Sequence, residues 1–337
     1  MTINDLKSLL SRFHIRPSKK LGQNFLLSEQ ALDQIVEAAE LSPEDTVLEI
    51  GPGLGVLTRR LCEKAGLVLA VEKDRKLVTA LRKLFKSQKN VKVIHGDALF
   101  IHPTSYELPA SPAGRPATSY KVVANIPYYL TGKILQNFLT SEQKPSLMVL
   151  LLQKEVAERI TASPGQMSIL AVSVQFYAEP EIIGRVGREN FYPEPEVDSA
   201  IVRLKVLEKP RLAVDEKRFF QLVKIGFAGK RKQLHNNLQA GFGTAVIPAF
   251  EPPAPTRSPR FGGEAGRRGE GSSLPARFES RSGSGGDSSA VADGNEKIKV
   301  DYKTLLTSLG LNPLARAQDL SLLDWKRLYD GLTARIR

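Results

Sequence analysis

Short apolar runs alternate with amphipathic stretches through the first two thirds of the chain. The runs are rich in β-branched and aliphatic residues, whereas stretches such as EQALDQIVEAAEL and DRKLVTALRKLF repeat their apolar residues every three or four positions, as helices do. Strands separated by helices indicate an α/β fold with a mostly parallel, doubly wound sheet. The predicted strands are Thr46 to Ile50, Leu67 to Val71, Val91 to His95, Lys121 to Ala124 and Leu147 to Leu152.

Helical spacing dominates after Arg203, in EKRFFQLVKIGFAGKRKQLHNNL, YKTLLTSLG and LSLLDWKRLYDGLTARI. We therefore predict two domains, a sheet domain over residues 1–206 and a smaller all-helical domain over residues 207–337. Residues 243–298 interrupt the second domain and hold 10 Gly, 6 Pro and 8 Ser among 56 residues. Because so few large apolar side chains cannot offset the entropy of ordering the backbone, we predict a disordered insertion there.

Composition and charge restrict the classes of molecule that this protein is expected to bind. The 337 residues include 48 Lys and Arg against 36 Asp and Glu, a formal charge of +12, and all of the excess lies outside residues 243–298. A basic excess favours a polyanionic partner. One cysteine allows no internal disulfide and the four histidines lack ligand spacing, so we expect a cytoplasmic protein without a metal site. The longest apolar run, Leu147 to Leu152, is too short to cross a bilayer, so we expect no membrane association.

A glycine-rich turn follows the first predicted strand, in EIGPGLG. Gly51 and Gly53 let the backbone turn sharply and approach a ligand at the start of the next helix. The next two strands end in acids, Glu72 and Asp97, which suit a ribose and an adenine amino group. Spacing alone also fits a dinucleotide site, but Val56 stands where that fingerprint has its third glycine. The pattern favours an adenosine cofactor without a pyrophosphate over a nicotinamide dehydrogenase, and the simplest alternative is a tight turn beside solvated strand ends.

The fourth predicted strand runs into the tetrapeptide Asn125-Ile126-Pro127-Tyr128. The Asn amide oxygen and a carbonyl flanking the proline can accept both hydrogens of an exocyclic amine. Holding those hydrogens keeps the nitrogen lone pair available for an electrophilic methyl group, while the Tyr128 ring offers a face for a base. The alternative interpretation is a turn that merely ends the strand, since Asn and Pro are turn residues.

These blocks together resemble the KsgA-type ribosomal RNA adenine N6-dimethyltransferases, and the resemblance covers nearly everything outside residues 243–298. It implies a Rossmann-like class I methyltransferase sheet with a smaller helical domain, S-adenosylmethionine as cofactor, and dimethylation of two adjacent adenines in the 3'-terminal hairpin loop of 16S rRNA. We expect a monomer that acts on the small ribosomal subunit or its precursor. The matching blocks are KKLGQNFL, EIGPGLG, GDAL, NIPYYLTGKIL, FYPEPEVDSAIVRL, GFAGKRKQLHNNL and ARAQDLSLLDWKRLY.

The resemblance also implies roles for individual residues. Gln23, Asn24 and Leu26 close over the methionine part of the cofactor, and Gly51 lies beneath it. Glu72 holds the ribose and Asp97 the adenine amino group. Asn125 and the Pro127 carbonyl face the methyl group and the target amine, with Tyr128 on one side of the base and Phe191, in FYPEP, as the second aromatic wall. The candidate RNA contacts are basic residues in three places: Arg12, Arg16, Lys19, Lys20, Arg185, Arg188, Lys224, Lys230, Arg231 and Lys232.

Two alternatives share the expected fold. An Erm-type enzyme would modify one adenine of 23S rRNA and has nearly the same N-I-P-Y, although the A-R-A-x-x-L-S and G-Q-N-F-L blocks favour the KsgA type. A non-catalytic RNA-binding assembly factor would keep the fold without the chemistry. The presence of Glu72, Asp97 and Asn125 argues against that loss.

Overall fold

The structure is a computed structural model that describes residues 2–18, 22–100, 120–243 and 300–334. All five predicted strands are confirmed, within one or two residues at their ends. The predicted insertion lies outside the described residues apart from Gly243. The strands are β1 (Phe25–Leu26), β2 (Thr46–Ile50), β3 (Leu67–Glu72), β4 (Val91–His95), β5 (Lys121–Asn125), β6 (Leu147–Gln153), β7 (Ala178–Val186), β8 (Phe191–Tyr192) and β9 (Ser199–Val206).

Helices connect these strands and complete the C-terminal part. They are α1 (Ile3–Arg12), α2 (Glu29–Ala38), α3 (Val56–Cys62), α4 (Arg75–Leu84), α5 (Thr131–Leu139), α6 (Lys154–Ile160), α7 (Ile169–Tyr177), α8 (Glu216–Gly226), α9 (Leu234–Phe242), α10 (Tyr302–Ser308) and α11 (Leu322–Thr333). In the described parts of the chain, no helix is long and apolar enough to cross a membrane.

The main sheet has seven strands in the order β4-β3-β2-β5-β6-β9-β7. The pairs from β4 to β6 are parallel, and β2 lies between β3 and β5. The chain therefore runs outward from β2 on one side and from β5 on the other, which opens a crevice at the carboxyl ends of the central strands. This α/β organisation confirms the predicted fold class.

The last two strands of the sheet, β7 and β9, were not predicted. Both are antiparallel to their neighbours, and β9 lies between β6 and β7. Pro180 and Gly184 interrupt the apolar alternation of β7, and the register shifts between Ile182 and Gly184. A strand is recognised in a sequence by its two-residue alternation. Because a bulge breaks that alternation, β7 could not be predicted from the pattern.

The helices after residue 207 pack directly on the sheet part of the molecule. Phe219 of α8 stacks on Phe176 of α7, with ring centroids 5.2 Å apart. Trp325 of α11 is fully buried in the apolar cluster that also holds residues of β5 and β6. The division into domains 1–206 and 207–337 therefore stays a prediction, since one apolar cluster spans both.

The stretch EKRFFQLVKIGFAGKRKQLHNNL, which the sequence predicts as helical, forms two helices, α8 and α9. Asn237 donates from Nδ2 to the carbonyls of Gly226 at 2.6 Å and Gly229 at 3.1 Å, and so satisfies one carbonyl at the end of α8 and one in the turn that follows. A Cβ on Gly226 would lie 2.3 Å from the Trp325 ring. This break places the run Lys230 to Lys232 on a turn rather than on a helix.

Candidate active site

A cavity opens at the carboxyl ends of β2, β3 and β5 and is covered by the segment before β1. It encloses about 1130 Å³ of empty space, part of which is open to solvent. Among the predicted cofactor residues, all of the following line it: Gln23, Asn24, Leu26, Gly51, Gly53, Glu72, Asp97 and Asn125.

The glycine turn forms the floor between β2 and α3. Gly53 and Gly55 have φ angles of +61° and +78°, in the left-handed region that side chains disfavour. A Cβ on Gly55 would lie 2.3 Å from the ring of Phe85. The turn thus needs glycine for its backbone geometry and for the close packing beneath it.

Glu72 ends β3 and holds this turn from the side. Its carboxylate accepts hydrogen bonds from the backbone N–H of Gly53 at 3.2 Å and of Asp74 at 2.8 Å. Burial raises the pKa of Glu72, and these backbone hydrogen bonds oppose the rise. Glu72 therefore links the glycine turn to the start of α4.

Asp97 follows β4 at the next strand end. Lys73 donates to its carboxylate at 2.8 Å, and the Leu99 N–H donates at 3.1 Å. Partial burial alone would raise the pKa of Asp97, but these two hydrogen bonds outweigh it and lower the pKa below its usual value. Asp97 is thus an ionised acceptor at the cavity wall.

A third acid, Glu49, lines the cavity and was not predicted from the sequence. It is 1% exposed at the end of β2, and its Oε2 has no hydrogen-bond partner among the described residues. Burial raises the pKa of Glu49 to about 8, and the nearby Glu72 adds to the rise. The sequence feature that could have identified Glu49 is an acidic residue within the mostly apolar strand TVLEI.

The N-terminal segment covers the cavity through Gln23, Asn24 and Leu26. The Gln23 side chain accepts from the Ser18 N–H at 2.8 Å and donates to Asp74 at 3.4 Å. Leu26 lies in β1, which pairs with β8. Helix α1 packs beside this segment in a small cluster with Phe25.

Asn125 lies at the end of β5 with its side-chain orientation fixed. Its Nδ2 donates to the carbonyl of Asn24 at 3.0 Å. No donor among the described residues contacts its Oδ1. The amide can therefore present an acceptor to the cavity while the covering segment holds its donor side.

The residues after Asn125 form a 3-10 turn that leads into α5. The Tyr128 hydroxyl and the Ser199 Oγ are 2.9 Å apart, which anchors the ring of Tyr128 beside the cavity. The Pro127 carbonyl accepts from the Leu130 N–H at 2.9 Å, which leaves one lone pair. The carbonyl of Ile126 has no donor among the described residues and is a further acceptor, which was not predicted individually.

The aromatic residues beside the cavity differ from those expected to enclose the base, which were Tyr128 and Phe191. Phe191 is 4% exposed, packs in the apolar cluster around Leu26 and is not among the residues that line the cavity. Its pairing with Leu26 across β1 and β8 causes this burial, so its role as the second wall stays a prediction. Tyr129 lines the cavity with 56% of its surface exposed and was not predicted.

The predicted RNA contacts fall into paired and unpaired groups. Arg185 lies 3.5 Å from Glu158 and Arg188 lies 3.0 Å from Glu194, so acidic neighbours offset both charges. Lys19 and Lys20 lie outside the described residues. The exposed predicted contacts that form no ion pair with another described residue are Arg12, Arg16, Lys224, Lys230, Arg231 and Lys232.

The charge of the cavity restricts its ligand. Among the described residues, the acidic and basic side chains that line it are Glu49, Glu72, Lys73 and Asp97, so three of the four are acids, and the lysine is paired with Asp97. Acidic side chains suit ligands that carry hydroxyl, amino or cationic groups and disfavour a diphosphate. This donor set fits an adenosine-based cation better than a dinucleotide.

A family model for ribosomal RNA adenine dimethylase matches residues 15–251. The chain belongs to this family. Its relatives include proteins named ribosomal RNA small subunit methyltransferase A, among them one from Dehalococcoides mccartyi and one from Rippkaea orientalis. The relative from Dehalococcoides mccartyi is 46% identical over 240 residues, which span 71% of this chain and 80% of the relative. The relative from Rippkaea orientalis is 47% identical over 234 residues, or 67% of this chain and 84% of the relative.

Solved structures of related proteins support the same fold. A dimethyladenosine transferase from Plasmodium falciparum superposes with a TM-score of 0.66 at 24% identity and covers 92% of this chain and 98% of its own. The 23S rRNA methyltransferase ErmE superposes with a TM-score of 0.62 at 25% identity, and the aligned region covers 92% of this chain and 99% of ErmE. This family member therefore has a class I methyltransferase fold, as the resemblance implied.

Proposed function

We propose that this protein is an S-adenosylmethionine-dependent methyltransferase that dimethylates N6 of two adjacent adenines in the 3'-terminal hairpin loop of 16S rRNA. The observation that carries this proposal is Asn125, whose Oδ1 is left as an acceptor at the cavity beside the acidic strand ends. Family membership and the names of the relatives support the RNA and the reaction class.

The acidic residues of the cavity would hold the cofactor. Glu72 would accept from the ribose hydroxyls, Asp97 from the adenine amino group, and Gln23 and Leu26 would cover the methionine part. When bound, S-adenosylmethionine supplies an electrophilic methyl group on a sulfonium. The glycine turn lets the backbone approach this ligand without a side chain in the way.

Asn125 would act on the target amine. Its Oδ1 accepts one hydrogen of the amine, and the neighbouring carbonyl of Ile126 or Pro127 accepts the other, which keeps the nitrogen lone pair available for attack. Positioning and hydrogen bonds of this kind can supply much of a rate enhancement, because they act without reorganising at the moment of reaction. Tyr128 would stack on the base once it leaves its own stack in the RNA loop, where unstacking costs least.

The test is methyl transfer from labelled S-adenosylmethionine to small-subunit and large-subunit particles, with the modified nucleotides mapped. We expect dimethyladenosine at two adjacent positions of 16S rRNA. Modification of 23S rRNA would replace the proposal with the Erm-type activity, and absence of transfer to either particle would favour the non-catalytic assembly factor.

The variant Asn125→Ala makes the same test specific to the site. We expect its turnover to fall about 100- to 1,000-fold, as when a preorganised polar group is removed from an active site, while the protein still binds cofactor. Gln would keep an amide but reach too far, so Asn125→Gln should also be impaired. Wild-type turnover in Asn125→Ala would remove this residue from the mechanism.

A further inference from the structure

The segment between Glu72 and Asp97 concentrates the positive charge of the chain. Its 24 residues, 73–96, hold eight basic side chains and one acidic one, Asp74. They contribute +7 of the formal +12 of the whole chain. None of the RNA contacts predicted from the sequence lies in this segment.

This segment forms one outer edge of the molecule. Helix α4 begins beside the cavity, where Asp74 caps its first turn, and it buries its apolar side against the sheet. Strand β4 is the outermost strand on this side of the seven-stranded sheet that the described residues form. We call this surface the α4 edge, and its exposed basic residues are Arg75, Lys76, Arg82, Lys83, Lys86, Lys89 and Lys92.

Most of these charges have no partner among the residues that the structure describes. Apart from Arg82, which reaches the Val93 carbonyl at 3.5 Å, the exposed basic residues of the α4 edge make no ion pair or side-chain hydrogen bond with another described residue. Some surface arginines elsewhere are paired, as Arg203 is with Glu40 and Glu181 at 2.7 Å each, whereas others, such as Arg12 and Arg231, form no ion pair with another described residue. Among the described residues, no acidic side chain forms an ion pair with the exposed basic residues of the α4 edge.

Helix stability does not explain the arrangement. Arg82 and Lys83 lie in the last turn of α4, where the helix dipole favours cations, but Arg75 and Lys76 lie in the first turn, where it disfavours them. That first turn contains no acidic residue. The helix dipole therefore does not account for Arg75 and Lys76 at this end of α4.

Tertiary packing brings the N-terminal arm to the same place. Leu6 and Leu10 of α1 share one apolar cluster with Leu77 and Ala80 of α4. Helix α1 and the segment that follows it contribute three exposed basic residues, Lys7, Arg12 and Arg16. The acid that α1 adds, Asp5, is hydrogen-bonded to Thr2 within its own capping box.

We propose that the α4 edge, with Arg12 and Arg16, is an RNA-binding surface that holds phosphates of the substrate rRNA outside the target loop. The inference rests on the proposed function for its RNA substrate. Phosphate contacts of this kind orient a protein on RNA without reading sequence. The α4 edge begins at the cavity wall, so RNA held there is positioned next to the site of methyl transfer.

The test neutralises three lysines at the end of α4 and beyond, in the variant Lys83→Gln, Lys86→Gln and Lys89→Gln. Gln and Lys have similar helix propensities, so α4 should keep its structure. The matched control is Lys205→Gln, Lys209→Gln and Lys217→Gln, which removes the same charge from exposed positions away from β4, the first two near the opposite edge of the sheet. Affinity for small-subunit particles is measured between 50 and 200 mM salt, alongside kcat, KM and cofactor affinity.

Each phosphate contact contributes about 0.7 to 0.9 to the slope of log affinity against log salt concentration. We therefore expect the slope of the α4-edge variant to fall by about 2 to 3, with KM raised at least about tenfold while kcat and cofactor affinity stay unchanged. The control should keep the wild-type slope. A slope in the α4-edge variant equal to that of the control would overturn the inference, even where the wild type methylates 16S rRNA as proposed. A wild type that transfers no methyl group would instead overturn the proposed function, and the slope comparison would still decide this inference.

Discussion

Glu72 connects two parts of the site through a single buried side chain. Its carboxylate accepts hydrogen bonds from the glycine turn and from the start of α4, and it lines the cavity near Asp97. The same group can hold ribose hydroxyls and fix the turn that approaches the ligand. Loss of this carboxylate should therefore affect cofactor binding more than the chemical step.

We expect Glu72→Ala to weaken S-adenosylmethionine binding by about 1.5 to 3 kcal/mol, the range for hydrogen bonds to a charged group. Calorimetric titration would show this as a Kd raised roughly 10- to 150-fold. Glu72→Gln is the matched control, because it keeps the shape and one acceptor, and it should lose less. An unchanged Kd in the alanine variant would contradict the assigned role.

Glu49 should make stability depend on pH. Its pKa is raised by burial from 4.5 to about 8. Between these two values the folded protein keeps a proton that the unfolded chain has released, so the stabilising contribution is complete below pH 4.5 and is lost as pH rises through 8. The loss is at most about 1.4 kcal/mol per pH unit.

The variant Glu49→Gln should lack this dependence. We expect the difference in free energy of unfolding, wild type minus Glu49→Gln, to decrease steadily from pH 5 to pH 8 in urea denaturation. The exposed Glu142→Gln serves as control and should parallel the wild type. Parallel curves for Glu49→Gln and the wild type would mean that Glu49 is ionised in the folded protein.

The turn between β2 and α3 shows how an element can depend on glycine for two reasons. Gly55 is the N-cap of α3 with a φ of +78°, and its missing Cβ leaves room for the Phe85 ring. Gly132, in the first turn of α5, has a negative φ, and a methyl group added to it would meet no neighbouring atom within 4 Å. The two glycines therefore form a matched pair.

Gly55→Ala should destabilise the protein by about 2 to 4 kcal/mol, because a left-handed backbone and an overpacked contact add up. Gly132→Ala should be neutral or stabilise by up to about 1 kcal/mol, since alanine favours a helix. Thermal or denaturant unfolding measures both. Equal stability of the two variants would show that the turn relaxes to accommodate the methyl group.

Helices α9 and α10 flank the predicted insertion. Residues 244–299 separate them in the sequence and lie outside the described residues. The two helices nevertheless pack together, with the rings of Phe242 and Tyr302 stacked and their centroids 6.4 Å apart. A short connection is therefore sufficient to join them.

We expect a protein in which residues 244–296 are replaced by a Gly/Ser linker of about ten residues to fold and methylate like the wild type. Loop-closure entropy changes only with the logarithm of loop length, so the shorter loop should stabilise by about 1.5 kcal/mol. That corresponds to a Tm within about 5 °C of the wild type. A tenfold loss of turnover on small-subunit particles with unchanged folding would instead assign the insertion a part in binding the particle.

Local sequence patterns are sufficient to predict strands β2 to β6, the helices between some of them, and the residues at the ends of the central strands, but they did not predict β1. An apolar run, a helical periodicity and a glycine-rich turn can each be recognised within a few consecutive residues. Because parallel strands bring their carboxyl ends to one edge, the motifs around Gly51, Glu72, Asp97 and Asn125 were also expected to meet. The cavity brings all four together.

Long-range packing, by contrast, decides which of these side chains are buried, paired or free. Phe191 is buried by Leu26, which lies far from it in sequence, and Arg185 is paired with Glu158 on another element. The same packing buries Glu49 and joins the N-terminal arm to the α4 edge. Burial and charge pairing depend on contacts between distant segments, and a local pattern in the sequence carries no record of those contacts.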